Sequence, residues 1–348
     1  MSSKSLIRAG AAVLIAVGLQ IPAAAGVADG ARAPVAAAWS LGTATKTGTT
    51  TSCPVGYTCD TVSVSGCPNV GQAITATVAK SSPSASPRGL VFFFSGAGGT
   101  TWWQQGTQGG SIAAAELVKL RDNDHLVIVQ VKWKADWYAA QQGVDSGSGH
   151  MACRGATLVK WVHDVYYVPL GLSPAPGSCG YCISGNSGGS SEVSYALSHY
   201  GLDSILDGVF PTSGPPLAAI VKGCLTTYPG YLYEGTSATS VDKAEGFLSG
   251  GGPCSLHDSS YTSRWNTESV DTGGTDYSHP ATRIGFIVGA GDHGASPSHA
   301  QDYRDKLQLD SANDVSWWVV SGMVHTIQKS QSGLDALRCL ILGLSQGC

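Results

Sequence analysis

The most informative stretch of this chain is YCISGNSGG, at residues 181–189. Its first part, 181–184, is a short strand-like run, and an apolar pattern with helical spacing follows at 192–197. Between them lies Gly-x-Ser-x-Gly, with Ser187 at its centre. Glycines two residues before and after a serine permit a sharp strand-to-helix turn that exposes the hydroxyl. In a chain with 46 glycines the motif alone is weak, but the strand and helix around it indicate a nucleophile elbow.

Residues 1–25 have the features of a secretory signal peptide. Lys4 and Arg8 precede an apolar segment at 11–19, and the small residues at 23–25 provide a cleavage site. We therefore expect a secreted protein, extracellular or periplasmic, with a mature start near Gly26. No later segment reaches about 18 continuous apolar residues, so no integral membrane segment is expected after the signal peptide is removed.

The ten cysteines suit an oxidising compartment, and their even number predicts up to five disulfide bonds. The plausible local pairs are Cys224 with Cys254 and Cys339 with Cys348. Cys179 and Cys182 have the Cys-x-x-Cys spacing of a redox or zinc site. Because no second such motif and no nearby histidine pair would complete a metal shell, a structural disulfide is favoured for these two.

The composition gives little support for a charged partner. Charged residues make up 13% of the chain, about half of the usual share. The formal net charge of −4 becomes −6 when the two positive charges of Lys4 and Arg8 leave with the signal peptide. Because nucleic-acid binding needs a basic patch, we expect no nucleic-acid partner.

The mature chain is long enough for one large domain, which we place at 53–348. Residues 26–52 lack clear periodicity and are expected to form a flexible N-terminal lead-in. Alternating patterns at 61–64 and 73–79 predict two antiparallel strands. The unbroken apolar run LVFFF at 90–94 predicts a strand that is buried on both faces.

Strand and helix patterns alternate along the rest of the chain. The predicted strands are 126–131, 181–184, 205–210, 284–288 and 315–320, and the predicted helices are 112–121, 156–167, 298–309 and 332–344. This alternation predicts an α/β fold with a mostly parallel central sheet and helices on both faces. Residues 215–280, rich in Pro, Gly, Ser and Thr, interrupt it and are interpreted as a lid-like insertion.

Ser187 needs a general base, because a serine hydroxyl is a weak nucleophile until an imidazole takes its proton. Nine histidines are available, and His325 is the best placed. It follows the last predicted strand after a short loop, and functional side chains gather at the carboxyl edge of a parallel sheet. The alternative interpretation is a solvated loop histidine.

The imidazole must in turn be oriented by a carboxylate. Asp292 follows the strand predicted at 284–288 and a Gly-rich loop, one strand before His325. Asp276 and Asp271 are alternatives, but they lie in the insertion rather than after a strand. The other interpretation of Asp292 is a loop residue that caps the next helix.

Nucleophilic attack on a carbonyl creates an oxyanion, which needs hydrogen-bond donors. Gly188, directly after the serine, offers its backbone N–H. A second donor is expected from Gly96 or Ala97, in the Gly-rich turn SGAGG at 95–99. A phosphate-binding loop is the rival interpretation of this turn, but it has neither the lysine nor the spacing of a Walker sequence.

Four tryptophans lie close to this turn in the sequence. Trp102 and Trp103 follow it directly, and Trp133 and Trp137 lie just beyond the next strand. Aromatic side chains at strand ends can line a substrate pocket, and we predict this role for Trp102 and Trp103. The alternative is that two or more of these side chains pack under loops.

These features together resemble the α/β-hydrolase superfamily, over roughly residues 55–348. The elbow, the turn at 95–99 and the chain order Ser187, Asp292, His325 carry the resemblance, because the superfamily uses that order. It implies an α/β-hydrolase fold and a secreted serine hydrolase that cleaves carboxylic esters through an acyl-enzyme intermediate. It also implies that neither a metal nor an organic cofactor is needed.

Within the superfamily the chain resembles secreted esterases and polyester depolymerases, so the ester could be a small molecule, a lipid or a polyester. It departs from them at Ser95, where many lipases and esterases have histidine, and at Asn186 before the serine. The same triad cleaves amides, so a secreted peptidase or amidase is the alternative function. A non-catalytic binding protein is a third reading, but such proteins usually lose a triad residue.

Overall fold

The computed structural model describes residues 37–82, 86–106, 112–173, 177–249 and 251–348. The predicted signal peptide and the first part of the predicted lead-in lie outside these residues. The described chain forms a sheet of nine strands. The strands are β1 Thr43–Thr50, β2 Tyr57–Ser65, β3 Ile74–Ser81, β4 Gly89–Phe94, β5 Leu126–Trp133, β6 Tyr181–Asn186, β7 Gly208–Thr212, β8 Arg283–Gly289 and β9 Asp314–Val320.

The spatial order of the strands is β1-β2-β3-β5-β4-β6-β7-β8-β9. Neighbours from β1 through β3 to β5 pair in antiparallel fashion. All neighbours from β5 through β4 to β9 pair in parallel fashion. The mostly parallel sheet that the sequence predicts is therefore confirmed, with antiparallel strands along one side.

Helices cover both faces of this sheet. The α-helices of the described residues are α1 Ala113–Asp122, α2 Ser148–Met151, α3 Cys153–Val162, α4 Gly188–Ser198, α5 Ile220–Cys224, α6 Thr236–Ala244, α7 Thr262–Glu268, α8 Ser296–Leu307 and α9 Gln331–Ile341. The helix predicted at 156–167 is α-helical only as far as Val162, and a π-helical turn spans His163–Tyr167.

The central strand β4 explains why the sheet has a core on each side. Phe92 and Phe94 belong to a core that includes side chains of α3 and α4. Val91 and Phe93 belong to a second core, with side chains of α1 and α9. Because neighbouring side chains of a strand point to opposite faces, an unbroken apolar run fills both cores.

The N-terminal strands begin earlier than the sequence predicts. Thr43–Thr50 pairs with β2, so a flexible lead-in over 26–52 is wrong for this part of the chain. Its sequence TATKTGTT places mostly exposed, hydroxyl-bearing side chains along the strand. The strand therefore lacks the alternation of apolar and polar residues by which half-buried strands are recognised, and its backbone hydrogen bonds hold it.

The insertion at 215–280 lies between β7 and β8 and contains α5, α6 and α7. The disulfide Cys224–Cys254 links two parts of it. The buried carboxylate of Asp242 accepts the backbone N–H of Cys254 at 2.8 Å. Trp265 of α7 is buried in the same core as Phe92. The insertion is thus packed onto the sheet by buried side chains.

The cysteines pair as Cys53–Cys59, Cys67–Cys153, Cys179–Cys182, Cys224–Cys254 and Cys339–Cys348. The two local pairs expected from the sequence are confirmed, and the Cys-x-x-Cys pair is a disulfide. No helix in the described ranges is both long and apolar enough to cross a membrane. Within the same ranges, no group of three or more His, Cys, Asp or Glu side chains could hold a metal ion.

Candidate active site

Ser187 lies at a sharp turn between β6, which ends at Asn186, and α4, which begins at Gly188. Its backbone has φ 52° and ψ −118°, a strained conformation for a residue with a side chain, with a cost on the order of 1–3 kcal/mol. A Cβ at Gly185 would lie 2.1 Å from the Gly189 carbonyl oxygen, so the turn can close only with glycine there. The motif therefore adopts the geometry of a nucleophile elbow.

His325 and Asp292 lie next to this serine in a hydrogen-bonded series. The His325 Nε2 atom lies 2.9 Å from the Ser187 Oγ atom, and the Nδ1 atom lies 2.8 Å from Asp292 Oδ2. An ionised carboxylate only accepts, so the Nδ1 atom must donate to it, which leaves Nε2 free to accept the serine proton. The Asp292 side chain is 4% exposed and that of His325 is 41% exposed, so the series runs from a buried carboxylate to an open imidazole.

The two alternative acids lie elsewhere. Asp276 Oδ1 accepts the backbone N–H of Ser278 at 2.9 Å. Asp271 has one carboxylate oxygen, Oδ1, that is buried without a hydrogen-bond partner among the described residues. Burial, followed by the charge of Asp302, raises the pKa of Asp271 to about 7. Of the three candidate acids, only Asp292 is paired with His325.

The Gly-rich turn after β4 approaches the elbow closely. A Cβ at Gly188 would lie 2.2 Å from the Ala97 carbonyl oxygen. Ala97 has a φ of 50°, a left-handed conformation that is uncommon for a residue with a side chain. Ala97 and Gly188 both line the cavity beside Ser187, whereas Gly96 is buried behind them and is absent from that lining. Of the two candidate second donors, Ala97 is therefore the one at the cavity.

The cavity has a volume of about 630 Å³, within the range of small-molecule sites. Ser187, His325 and Asp292 lie along one side of it. The insertion supplies much of the remaining wall, with Pro216, Leu217, Gly230, Leu232, Tyr233, Glu234, Thr236, Ser237 and Ser240. This wall mixes apolar surface, hydroxyl groups and one exposed carboxylate, and none of the sequence motifs points to it.

The substrate-binding role predicted for Trp102 and Trp103 is wrong, because neither side chain lines this cavity. Trp103 is buried with its ring 4.5 Å from that of Phe93, measured between centroids. Trp102 is buried against Cys59 and Ala79. After the Gly-rich turn the chain runs back over the sheet, so both rings cover strands instead of the site.

Besides Tyr233 of the insertion, two aromatic residues of the cavity come from the segment after β5. Trp137 and Tyr138 line it, and their rings pack edge to face at 5.5 Å. Trp133, four residues earlier, is buried and donates its indole N–H to Glu192 Oε1 at 3.0 Å. In the sequence, this part of the cavity wall is indicated only by the position of Trp137 just beyond the end of a strand.

Comparison with solved structures places this architecture among known folds. Candida antarctica lipase A in its closed state aligns with a TM-score of 0.54 and 14% identity, over 88% of this chain and 83% of that chain. The acetyl xylan esterase from Paenibacillus sp. R4 aligns with a TM-score of 0.52 and 11% identity, over 87% and 89%. This chain has the α/β-hydrolase fold.

Another solved structure aligns with a lower score, and this chain spans less than half of its length. A Mycobacterium tuberculosis puromycin-hydrolyzing peptidase aligns with a TM-score of 0.47 and 13% identity, over 85% of this chain, which spans 41% of that protein. No protein-family model and no curated protein matches the sequence. At these identities the similarity establishes the fold, and the function must be argued from the site.

Proposed function

We propose that this protein is a secreted serine hydrolase that cleaves carboxylic esters. The observation that carries the proposal is the series from Asp292 through His325 to Ser187, with its nucleophile open to a cavity. The Asp292 carboxylate can orient the imidazole of His325, and this imidazole can accept the Ser187 hydroxyl proton. The five disulfide bonds support export, because such bonds persist in oxidising compartments.

The first half of the reaction forms an acyl-enzyme. His325 Nε2 takes the hydroxyl proton as Ser187 Oγ attacks the ester carbonyl, and the Asp292 carboxylate stabilises the resulting imidazolium. The carbonyl oxygen becomes an oxyanion that accepts the N–H groups of Gly188 and Ala97. The imidazolium then gives its proton to the departing alcohol oxygen, the ester C–O bond breaks, and the acyl group stays on Ser187.

The second half regenerates the serine. Water enters from the open side of His325, gives a proton to Nε2 and attacks the acyl carbonyl. The same two N–H groups bind the second oxyanion. Collapse of this intermediate returns the proton to Ser187 Oγ and releases the carboxylic acid. All steps use side-chain and backbone groups of this chain.

The choice of esters over amides is part of the proposal, and two of the solved structures that align with a TM-score above 0.5 carry the names of a lipase and an acetyl xylan esterase. The chemistry of the triad does not separate the two bond types, since a peptidase uses the same steps. Both must therefore be assayed together, and a polyester film serves as a third substrate.

The test measures hydrolysis of nitrophenyl acetate, butyrate and palmitate beside a peptide anilide. We expect ester turnover by the wild type and a loss of at least about a thousandfold in Ser187→Ala. Ser184→Ala is the matched control, because this β6 serine hydrogen-bonds to the Phe210 carbonyl and lies outside the cavity. A wild type that cleaves only the anilide, or Ser187→Ala that retains ester turnover, would contradict the proposal.

A further inference from the structure

Ala97 needs external support to act as an oxyanion donor. Its φ of 50° costs energy relative to glycine, so the turn must be held in shape by its surroundings. We propose that Trp137 positions the part of this turn around Ala97, through its indole N–H and its backbone N–H. This inference rests on the proposed function, because it assigns a role in the same oxyanion site.

Trp137 binds two successive carbonyl groups of the turn. Its Nε1–H donates to the Ala97 oxygen at 3.2 Å, and its backbone N–H donates to the Gly98 oxygen at 3.0 Å. One rigid side chain and its own backbone thus hold two neighbouring peptide groups. The first bond fixes the peptide group that follows Ala97, which is the group that must rotate if Ala97 is to leave its left-handed conformation.

The peptide group before Ala97 is fixed from inside the turn. The Gly96 oxygen accepts the backbone N–H of Gly99 at 3.1 Å. In a trans peptide the N–H points away from the C=O, so the Ala97 N–H is directed outward from the turn. With the groups on both sides of Ala97 held, its N–H has one direction available.

The held carbonyl also lies against the other donor. The Ala97 oxygen lies so close to Gly188 that a Cβ added at Gly188 would be only 2.2 Å from it. A rotation of the Ala97 carbonyl would therefore disturb the contact between the two segments that supply the oxyanion donors. Trp137 acts on the spacing of both donors without touching the reacting atoms.

Trp137 is itself anchored by a buried cation. Arg154 is 2% exposed and donates Nη1–H to the Trp137 oxygen at 2.7 Å and to the Ala139 oxygen at 3.0 Å. Burying a guanidinium group is costly, and here several carbonyl oxygens compensate it. This arrangement fixes the backbone from which the indole reaches Ala97.

Trp133 provides a matched control within the same part of the chain. It is as deeply buried as Trp137 and it also contacts the turn, since its backbone N–H donates to the Gly99 oxygen at 2.9 Å and its ring packs against Gly99. Its indole N–H, however, donates to Glu192 and not to a carbonyl group of the turn. A tryptophan-to-phenylalanine change at either position removes one indole N–H and a similar volume. Only the change at Trp137 frees the Ala97 carbonyl.

The experiment compares Trp137→Phe and Trp133→Phe by kcat and KM for nitrophenyl acetate and by inhibition with an alkyl boronic acid, which forms a tetrahedral adduct with serine. Loss of a whole oxyanion donor costs about 100-fold to 1,000-fold, so a displaced donor should cost about 10-fold to 100-fold in kcat. We expect this loss in Trp137→Phe, with KM within about twofold and boronate affinity reduced by a similar factor to kcat. Trp133→Phe should keep both constants within about threefold, and thermal unfolding of both variants reports the cost of the lost volume.

A rescue variant separates positioning from general damage. Glycine tolerates a positive φ, so Ala97→Gly in the Trp137→Phe background should recover at least about threefold of the lost kcat. Equal kcat values for the two phenylalanine variants, or no recovery with glycine, would overturn this inference alone. A wild type that hydrolyses no ester would overturn the proposed function, and the inference with it.

Discussion

Two sides of the cavity are held in place by different interactions. The side with the proposed catalytic residues Ser187, His325 and Asp292 is called the catalytic side. The backbone hydrogen bonds of the sheet continue into it, because the Ser187 N–H donates to the Thr212 oxygen of β7 at 2.9 Å. Similarly, the Gly291 N–H beside Asp292 donates to the Met323 oxygen at 2.9 Å. Neighbouring strands thus set the positions of the reacting groups, and any sequence with the right strands would supply these bonds.

The side formed by the insertion depends on particular side chains. Lys222 forms a salt bridge with Asp302 at 2.7 Å, and Lys243 forms one with Asp136 at 3.0 Å. Buried acids and the Cys224–Cys254 disulfide complete it. Substitutions on the catalytic side should therefore alter turnover, whereas those in the insertion should alter stability, the pH dependence of stability and substrate choice.

The largest expected effect is on kcat, and it distinguishes Asp292 on the catalytic side from Asp276 in the insertion. Asp292→Asn should lower kcat about 10³-fold to 10⁴-fold, because an amide in place of the carboxylate favours the wrong tautomer of His325 and leaves the imidazolium without its counter-charge. Asp276→Asn should stay within about threefold, since that carboxylate only accepts the Ser278 N–H. Steady-state kinetics on a short ester measure both. A comparable loss in the two variants would remove the distinction between the sides.

The next effect concerns the stability of the insertion. The Cys224–Cys254 disulfide closes a loop with a sequence separation of 30, so replacing both cysteines by alanine should cost about 3–4 kcal/mol. The control replaces Cys339 and Cys348, which close a loop of separation 9 at the end of the chain. Denaturant unfolding gives the free energies, and limited proteolysis should show cleavage within 215–280 first. Early cleavage within the strands instead would show that the insertion is not the weaker side.

A pH-dependent effect follows from Asp271. Because burial raises its pKa to about 7 from an ordinary value of 3.8, the folded state disfavours its charged form. The wild type should therefore lose stability as pH rises from about 4 to about 7. Asp271→Asn removes this penalty, so it should be about 1–3 kcal/mol more stable than the wild type at pH 8 and no more stable at pH 4. Urea unfolding at both values tests this, and a difference that does not change with pH would contradict it.

The smallest effect is on substrate choice. Glu234 is exposed and lines the cavity, so its charge opposes an anionic acyl group. Glu234→Gln should raise kcat/KM for a nitrophenyl hemisuccinate, relative to the acetate, by about twofold to fivefold. The gain should shrink in 0.5 M salt, because exposed charges are screened over roughly a few ångströms there. An unchanged ratio in low salt would mean that this part of the wall does not meet the acyl group.

The contrast between the two sides also explains what the sequence could predict. The runs at 90–94 and 181–184 could be recognised as strands because short apolar runs are typical of strands that are buried on both faces of a parallel sheet. The elbow could be recognised because Gly185 is a steric requirement. From these strand ends the pairing of Asp292 with His325 could be expected. Sequence order alone thus placed the polar series that the structure brings together.

The sequence is a poor guide where tertiary contacts, and not a periodic pattern of apolar residues, set the position of a side chain. Trp102 and Trp103 follow the Gly-rich turn at 95–99 in sequence, yet the chain folds back and buries them. The wall formed by Glu234 and its neighbours depends on how the insertion packs, and β1 carries exposed hydroxyl groups without apolar alternation. Each of these positions depends on tertiary packing that local patterns do not encode.

Covalent labelling tests directly whether Ser187 is the nucleophile. The wild type is treated with a fluorophosphonate, digested, and analysed by mass spectrometry while ester hydrolysis is followed in parallel. We expect one phosphonylated residue, Ser187, formed in step with the loss of activity, and no labelling at that peptide in Ser187→Ala. Loss of activity with the label on another residue, or full ester hydrolysis by a protein labelled at Ser187, would contradict this expectation.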